Sequence, residues 1–310
     1  MSSNRNSVNY PKVSIGMPVY NGERFICKRL ESLLSQTWTN FELIISDNCS
    51  TDKTSTICKE YEKNDERIRY FRQEKNMGPL YNFIFVLQQA KYDYFAWAAV
   101  DDIWHNQFLE KNIKVLESDK NIIGSIGKVE AYGTNLKQKS NTIPLLVKKS
   151  IRKILFPQQP KGIFSISGSF EKKVRFYLKN SSCSIIYGIH RTTNLRKSMI
   201  TDLFLGNDWA INLNLLKNGN FHVVDENLMF KFAQGFSSID SVSLAMKMNK
   251  GRLGSFFPWL PFTSWCSRNL GLGIFLKNID YFFLLNYMGL SSHVTRNYLS
   301  FKYKILRKVP

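Results

Sequence analysis

VSIGMPVYNGERFICKRLESLLSQTWTNFELIISDNCSTDKT, residues 13–54, contains the unit from which the architecture of this chain can be inferred. A short apolar run, Val13–Val19, is followed by Glu23–Trp38, in which apolar side chains recur at helical spacing. A second apolar run, Phe41–Ser46, then ends in a polar cluster. The stretch therefore predicts a buried strand, an amphipathic helix and a second buried strand.

The same alternation continues for another fifty residues or so. A polar helix is predicted over Lys53–Lys63 and a strand over Ile68–Arg72, then a helix over Gly78–Ala90 and an apolar strand over Tyr92–Val100. Strands that alternate with helices predict an α/β fold with a doubly wound, mostly parallel sheet.

Beyond residue 105 the periodicity weakens. Helices are predicted over Gln107–Leu116 and Asp208–Asn218, and extended segments over Ile122–Tyr132, Ile185–His190, Phe221–Val224 and Leu228–Phe232. The segment Thr134–Ser169 is basic and irregular, which indicates a loop or an insertion over the site.

Charge is the unusual feature of the composition. The 310 residues carry a formal net charge of +19, whereas 44% hydrophobic residues suffice for a packed core. Lys128–Ile200 holds fifteen basic residues against two acidic ones, and Ser241–Pro310 holds ten against one. This asymmetry points to a polyanionic partner: nucleic acid, anionic lipid or a phosphorylated substrate.

The remaining composition bears on localisation. Five scattered cysteines without a Cys-x-x-Cys pair fit free thiols in a reducing compartment, and the polar N-terminus lacks the apolar core of a secretory signal. We therefore expect a cytoplasmic protein.

Residues 255–308 mix aromatic with basic side chains, a composition typical of segments that bind an anionic membrane surface. A helical subdomain packed on the core, or a dimer contact, would explain it equally well.

Polar residues follow several of the predicted strands at their carboxyl ends, where open α/β sheets bind ligands. They are Pro18–Asn21, Asp47–Asn48 and Asp101–Asp102. A glycine-rich dinucleotide fingerprint is absent after the first strand, which argues against a nicotinamide or flavin enzyme.

The opening stretch resembles that of the inverting family 2 glycosyltransferases with the GT-A fold. The resemblance continues through RQEKNMGPLYN, AAVDDIW, IIYGIHR and GNDWAINLNLLKNGNFHVVDENLMFKF, and so covers roughly residues 12–236. It implies a flexible N-terminus over residues 1–11 and a Rossmann-like GT-A catalytic domain over 12–240. A helical, basic and aromatic C-terminal extension would occupy 241–310.

The resemblance also implies a site for a nucleotide-sugar donor, with UDP or dTDP favoured. Asp47 would accept a hydrogen bond from the imide N–H of the base, although an aspartate here can also cap the next helix. The other residues that would shape or line the nucleotide pocket are Pro18, Tyr20, Asn21, Asp52, Asn82 and Val100. For Asp52, helix capping is an equal alternative.

In the same resemblance, Asp101 matches the last carboxylate of an Asp-x-Asp motif that holds Mn²⁺ or Mg²⁺ on the diphosphate. The first position of that motif is Ala99 in this chain. Asp102 would supply a second ligand or cap the next helix. Two adjacent acids at the end of an apolar strand favour the metal interpretation, because burying them without a cation is costly.

Asp208 matches the catalytic base that deprotonates the acceptor hydroxyl, so that one displacement inverts the anomeric carbon. Its alternative role is that of an acid favoured by the helix dipole. The usual acid before it is Asn207 here. Trp104 and Trp209 could bind sugar or belong to the core, and none of His190, His222 and His293 is assigned as a metal ligand.

The predicted activity is sugar transfer to a hydroxyl of a glycan or lipid-linked acceptor in cell-surface polysaccharide synthesis, by an enzyme that is cytoplasmic or peripheral on the cytoplasmic face of the membrane. Ala99 and Asn207 leave a catalytically inactive scaffold as the alternative. The charge alone would also permit nucleic-acid binding, but no recognised nucleic-acid-binding module is present.

Overall fold

The computed structural model describes residues 11–133, 162–180, 183–233 and 257–290. The predicted flexible N-terminus except for its last residue, most of the basic segment Thr134–Ser169, and the stretches 241–256 and 291–310 of the extension lie outside these residues, as does His293. By contact density the chain forms two compact units: residues 1–130, 184–199 and 218–232 make the first, and residues 131–183, 200–217 and 233–310 the second. The division at residue 240 stays a prediction.

The first unit alternates strands and helices as the sequence predicts. Its first half comprises β1 (Val13–Val19), α1 (Ile26–Leu34), β2 (Phe41–Asp47), α2 (Thr54–Asn64), β3 (Ile68–Arg72), α3 (Pro79–Gln89) and β4 (Tyr94–Trp97). There follow β5 (Ile103–Trp104), α4 (Phe108–Ser118), β6 (Ile122–Tyr132), β7 (Ile189–Arg191), α6 (Thr192–Ser198) and β8 (Asn220–Phe232). The second unit holds α5 (Phe170–Asn180), α7 (Asn207–Asn218), α8 (Leu260–Asn269), α9 (Leu272–Leu276) and α10 (residues 279–290).

The strands form an eight-stranded sheet in the order β3-β2-β1-β4-β7-β6-β8-β5. β1 pairs in parallel with β2 and β4, and β2 with β3, whereas β7 is antiparallel to β4 and β6. All residues of β1 and β2 are buried, as expected of parallel strands covered by helices on both faces. The predicted α/β class with a parallel sheet is confirmed for the half that carries the candidate donor site.

Two local predictions need correction. The predicted strand Ile185–His190 is a 3₁₀ turn, Cys183–Tyr187, followed by the short strand β7. The predicted segments Phe221–Val224 and Leu228–Phe232 belong to one strand, β8. Apolar residues fill both a buried turn and a buried strand, so their pattern alone does not distinguish the two.

The helices α8, α9 and α10 build part of the second unit around aromatic side chains. Phe262 is buried and lies near Trp209, Trp259 and Phe282, with ring centroids 6.0, 6.2 and 6.3 Å away. Within the described residues, no helix is both long enough and apolar enough to cross a bilayer. The predicted extension is helical in its described part, where α8, α9 and α10 lie.

Candidate active site

The carboxyl ends of the parallel strands meet at one edge of the sheet. In register, Val19 at the end of β1 lies opposite Asp47 at the end of β2, and Asp47 lies opposite Arg72 at the end of β3. The chain after β4 remains attached to this edge, since Ala98 N donates to Gly16 O over 2.9 Å. The loops that follow these strands therefore surround one place.

Asp47 is the centre of a buried hydrogen-bond network. Its side chain is fully buried, with Oδ1 accepting from Ser50 N over 2.8 Å. Oδ2 accepts from the Tyr70 hydroxyl over 2.8 Å and from Arg72 Nη1 over 3.0 Å. A carboxylate offers about four acceptor positions, and these three donors occupy three of them. Burial and the hydrogen bond to Asp47 raise the pKa of Tyr70 to about 12.

Tyr70 and Arg72 were missed by the sequence analysis. Arg72 ends the third strand, so the rule that singled out Asp47 and Asp101, a polar residue at the carboxyl end of a strand, would have found it as well. Its side chain is 39% exposed while that of Asp47 is fully buried, and the guanidinium also donates to Ser50 O. Arg72 thus brings a partly accessible positive charge to this edge.

The loop after β1 is held in place by the loop after β2. Asn21 adopts a left-handed conformation with φ of 49°, which asparagine tolerates better than most residues. Its backbone N–H donates to Ser50 Oγ over 2.9 Å, and its Oδ1 accepts from Thr51 N over 2.8 Å. Tyr20 beside it is 48% exposed, an aromatic ring presented to solvent next to the site.

Pro18 and Val100 lie at the base of this loop. Pro18 is buried within β1, while Val100 is half-buried and follows β4. A Cβ on Gly22 would approach Val19 Cγ2 to 2.7 Å and Val100 Cγ2 to 3.0 Å, so these side chains pack closely around the glycine. The predicted pocket residues Pro18, Tyr20, Asn21 and Val100 are thereby placed at or beside one loop.

Asn82 and Asp52 make hydrogen bonds that stabilise the same edge. Asn82 is buried, and its Nδ2 donates to Ser46 O over 2.8 Å and to Val19 O over 3.3 Å, joining the ends of β1 and β2. Asp52, just before α2, accepts from Glu23 N and Thr54 N, both over 3.0 Å, and from the Thr54 hydroxyl. Burial raises the pKa of Asp52, but these hydrogen bonds, that of the hydroxyl foremost, outweigh burial and lower it. Both side chains hold the loops; their contact with a nucleotide stays a prediction.

Asp101 and Asp102 follow β4 in a tight turn. Asp101 is half-buried, whereas Asp102 is 3% exposed and its Oδ1 accepts from Phe232 N over 3.1 Å. Burial, together with the charge of Asp101, raises the pKa of Asp102 to about 6, although Arg29 and Lys231 oppose the shift. Two adjacent carboxyl groups that repel each other fit a site that is completed by a divalent cation.

Among the described residues, no group of three or more His, Cys, Asp or Glu side chains is arranged to hold a metal ion. His190 is fully buried, with Nε2 3.1 Å from Ile185 O, and burial lowers its pKa to about 4. His190 is therefore part of the packed interior of the first unit.

Asp208 lies in the second unit, at the start of α7. It follows Gly206, whose φ is 90°, and its Oδ1 accepts from Trp209 N over 3.0 Å. Asn207 beside it donates from Nδ2 to Asp202 O, so its side chain is engaged by the backbone.

The two tryptophans of the sequence analysis both lie among other aromatic side chains. Trp209 packs near Tyr177 and Trp259, which makes it part of an aromatic cluster. Trp104 in the first unit is 3% exposed and stacks on Phe108.

Comparison with known proteins identifies the family. The model of glycosyl transferase family 2 matches residues 14–177, more than half of the chain. TuaG of Bacillus subtilis (strain 168), whose name assigns it provisionally to teichuronic acid biosynthesis, is 38% identical over 106 residues. These residues make up 34% of this chain and 42% of TuaG, so the match spans less than half of that relative.

Two solved structures share the fold. S. aureus TarS 1–349 in complex with UDP-GlcNAc has a TM-score of 0.53 and 17% identity, covering 89% of this chain and 81% of that one. The mannosyltransferase PcManGT of Pyrobaculum calidifontis, solved with GDP-Man and Mn²⁺, has a TM-score of 0.54 and 13% identity, covering 92% and 73%. The predicted GT-A fold is confirmed. The family model spans the parallel strands and more than half of the chain, and we conclude that this chain belongs to glycosyl transferase family 2.

Proposed function

We propose that this chain transfers a sugar, with inversion, from a nucleoside diphosphate sugar to a hydroxyl of a glycan or lipid-linked acceptor in cell-surface polysaccharide synthesis. The observation that carries the proposal is the convergence of Asp47, Tyr70 and Arg72 at the edge of the sheet where β1 and β4 also end. The names of the relatives support the substrate class: TuaG with teichuronic acid biosynthesis, and TarS with bound UDP-GlcNAc.

The donor nucleotide would bind at this edge. Asp47, held by Ser50, Tyr70 and Arg72, keeps one acceptor position for the imide N–H of a uracil or thymine base. The exposed ring of Tyr20 can pack against the nucleotide, and the guanidinium of Arg72 can attract its negative charge. PcManGT binds a guanine nucleotide, so the base preference is part of what has to be measured.

The diphosphate would lie next to the turn that carries Asp101 and Asp102. These carboxylates would hold Mn²⁺ or Mg²⁺, Asp101 first and Asp102 through the oxygen that does not accept from Phe232 N. When bound, the cation supplies a Lewis acid that neutralises the charge developing on the leaving diphosphate. Because Ala99 replaces the first acid of the usual motif, the chain brings fewer ligands of its own and depends more on the phosphates.

Asp208 is proposed as the general base. It would take the proton of the acceptor hydroxyl while that oxygen forms a bond to the anomeric carbon. The bond from the anomeric carbon to the diphosphate breaks on the opposite face, and the nucleotide leaves with the electron pair. General-base assistance of this kind is worth about 10²–10⁴-fold in rate. Turnover in an Asp208→Asn variant should fall by that factor while donor binding persists.

The first test is thermal stabilisation by UDP, dTDP, GDP and CMP, each with Mn²⁺, with Mg²⁺ and with chelator. A ligand at about 100 times its dissociation constant adds roughly 2.7 kcal/mol to the free energy of unfolding. We expect one pyrimidine diphosphate to stabilise the protein in a metal-dependent way. Asp101→Ala should abolish the metal dependence, and Asp47→Asn should weaken binding of that base.

The matched control is Asp93→Asn, which removes an exposed aspartate elsewhere on the first unit and should leave stabilisation unchanged. Absence of stabilisation by every nucleotide would overturn the proposal. Stabilisation without transfer to any acceptor would instead favour the inactive scaffold, which Ala99 and Asn207 motivate. If transfer is found, NMR of the product's anomeric configuration tests inversion, and retention would exclude the single displacement.

A further inference from the structure

An exposed apolar strip runs along α9 and α10. It consists of Leu272, Leu276, Ile279, Phe283 and Tyr287, whose side chains are 69%, 52%, 53%, 76% and 46% exposed. The intervals between them are four, three, four and four residues, which is the spacing of one face of a helix. Backbone hydrogen bonds continue across the junction, from Lys277 N to Gly273 O and from Phe282 N to Asn278 O. The strip is therefore one continuous surface and not a set of scattered side chains.

The opposite face of the same helices is fixed to the rest of the second unit. Asn278 is fully buried and Phe282 is 1% exposed, with its ring stacked on Phe275 at a centroid distance of 4.9 Å. Two ion pairs join these helices to α5: Arg175 holds Asp280 through two hydrogen bonds of 2.6 and 2.8 Å, and Lys277 Nζ lies 2.8 Å from Glu171. Rotating the strip inward would break these contacts, so the apolar face stays outward.

The charge of the surrounding sequence indicates which partner would bind the strip. From residue 241 to residue 310 there are ten basic residues and one acid, Asp280, which Arg175 already neutralises. Residues 291–310, directly after α10, contain five basic residues and no acid. A second copy of the chain carries the same excess of positive charge, which opposes its docking on the strip. An anionic bilayer instead accepts the apolar side chains and attracts the cations.

We propose that the strip on α9 and α10 inserts into the interface of an anionic membrane. Phe283 and the three aliphatic residues would enter the boundary between headgroups and acyl chains. Tyr287, whose ring carries a polar end, would lie at headgroup level. The docking is peripheral and does not depend on nucleotide binding, so it stands or falls separately from the proposed transfer reaction.

The test is flotation of the full chain with vesicles of phosphatidylcholine, with and without phosphatidylglycerol. We expect the chain to float with the anionic vesicles and less with the neutral ones. Leu276→Ser combined with Phe283→Ser should weaken this binding about tenfold or more, because each substitution removes an apolar side chain that the lipid would bury. Met77→Ser removes a side chain of 45% exposure from the first unit and should leave flotation unchanged.

Unchanged flotation of the double variant would overturn the proposal, as would equal binding to neutral and anionic vesicles. If sedimentation shows instead a self-associating chain that the double variant makes monomeric, without vesicle binding, the strip is a contact between copies. A cooperative urea unfolding transition with the midpoint of the wild type serves as the check that the double variant is folded, and it does not depend on nucleotide binding.

Discussion

At the scale of single residues, the first unit places several polar and ionisable side chains in its interior for different purposes. Asp47 is fully buried yet has three hydrogen-bond donors, one of them charged, which stabilises its carboxylate. Asp102 is as deeply buried but repels Asp101, an arrangement that costs stability in the absence of a cation. This contrast supports the proposal that Asp47 binds a neutral base and that Asp102 faces a metal ion.

His190 gives a prediction about stability and pH. Burial lowers its pKa to about 4, whereas an unfolded histidine titrates near 6.5. Between pH 4 and pH 6.5 the unfolded chain binds a proton at this histidine that the folded chain does not. The contribution of the neutral imidazole to the free energy of unfolding is therefore complete above pH 6.5 and falls as the pH is lowered. The loss attributable to this residue is on the order of 3 kcal/mol at pH 4.

Urea unfolding of the wild type and of His190→Gln from pH 7.5 to pH 4 measures this loss. Glutamine can still donate to the carbonyl of Ile185 but does not titrate, so the two stability curves should converge as the pH falls. Other groups that titrate in this range affect both proteins alike and cancel in the difference. Curves that stay parallel would show that His190 is protonated as readily in the folded chain as in the unfolded one.

At the scale of elements, the close packing of β6 against residues of β7 and β8 leaves no room for a side chain at Gly124. Gly124 is paired with His190 of β7, and a Cβ at this glycine would lie 2.5 Å from His190 Nδ1 and 2.7 Å from the ring of Phe221. Gly124→Ala should therefore destabilise the protein by about 1–3 kcal/mol, measured as the free energy of unfolding. Gly273→Ala is the control, because a Cβ there meets nothing within 4 Å and alanine favours the helix α9 by up to about 1 kcal/mol. Equal effects of the two substitutions would contradict this account.

The same elements show how far sequence reasoning extends. β1 and β2 were predictable because each is an apolar run that ends at a polar or turn-forming group, and β6 has the predicted bounds Ile122–Tyr132. The antiparallel return of β7 between β4 and β6 joins segments about seventy to a hundred residues apart in sequence, which no local pattern reveals. Helix α5, FEKKVRFYLKN, was not predicted, although its apolar residues Phe170, Val174, Tyr177 and Leu178 recur at helical spacing.

Some residues of the candidate site could likewise be predicted from the sequence, and others could not. Asp47, Asp101 and Asp102 could be found because each follows an apolar strand, and the resemblance supplied a role for each. The partners of Asp47 could not be found by that resemblance: Tyr70 lies inside β3, and its contact with Asp47 depends on the register in which β2 and β3 pair. The hydrogen bond from Phe232 N to Asp102 likewise joins residues 130 positions apart.

At the scale of the whole molecule, the net charge of +19 permits non-specific binding of polyanions, which salt should separate from the proposed nucleotide binding at Asp47. Contacts of exposed lysine and arginine with a polyanion depend on counterion release, so affinity for a random RNA should fall by about a thousandfold between 50 and 200 mM salt. The proposed contact of a nucleotide with Asp47 would be a hydrogen bond in a buried network, which salt screens much less. The affinity for the preferred nucleoside diphosphate with its cation, read from thermal stabilisation, should fall by less than about tenfold over the same range. RNA binding that resists salt and prefers one sequence, together with nucleotide stabilisation that disappears, would contradict this account and would make nucleic acid the partner to which the basic surface is adapted.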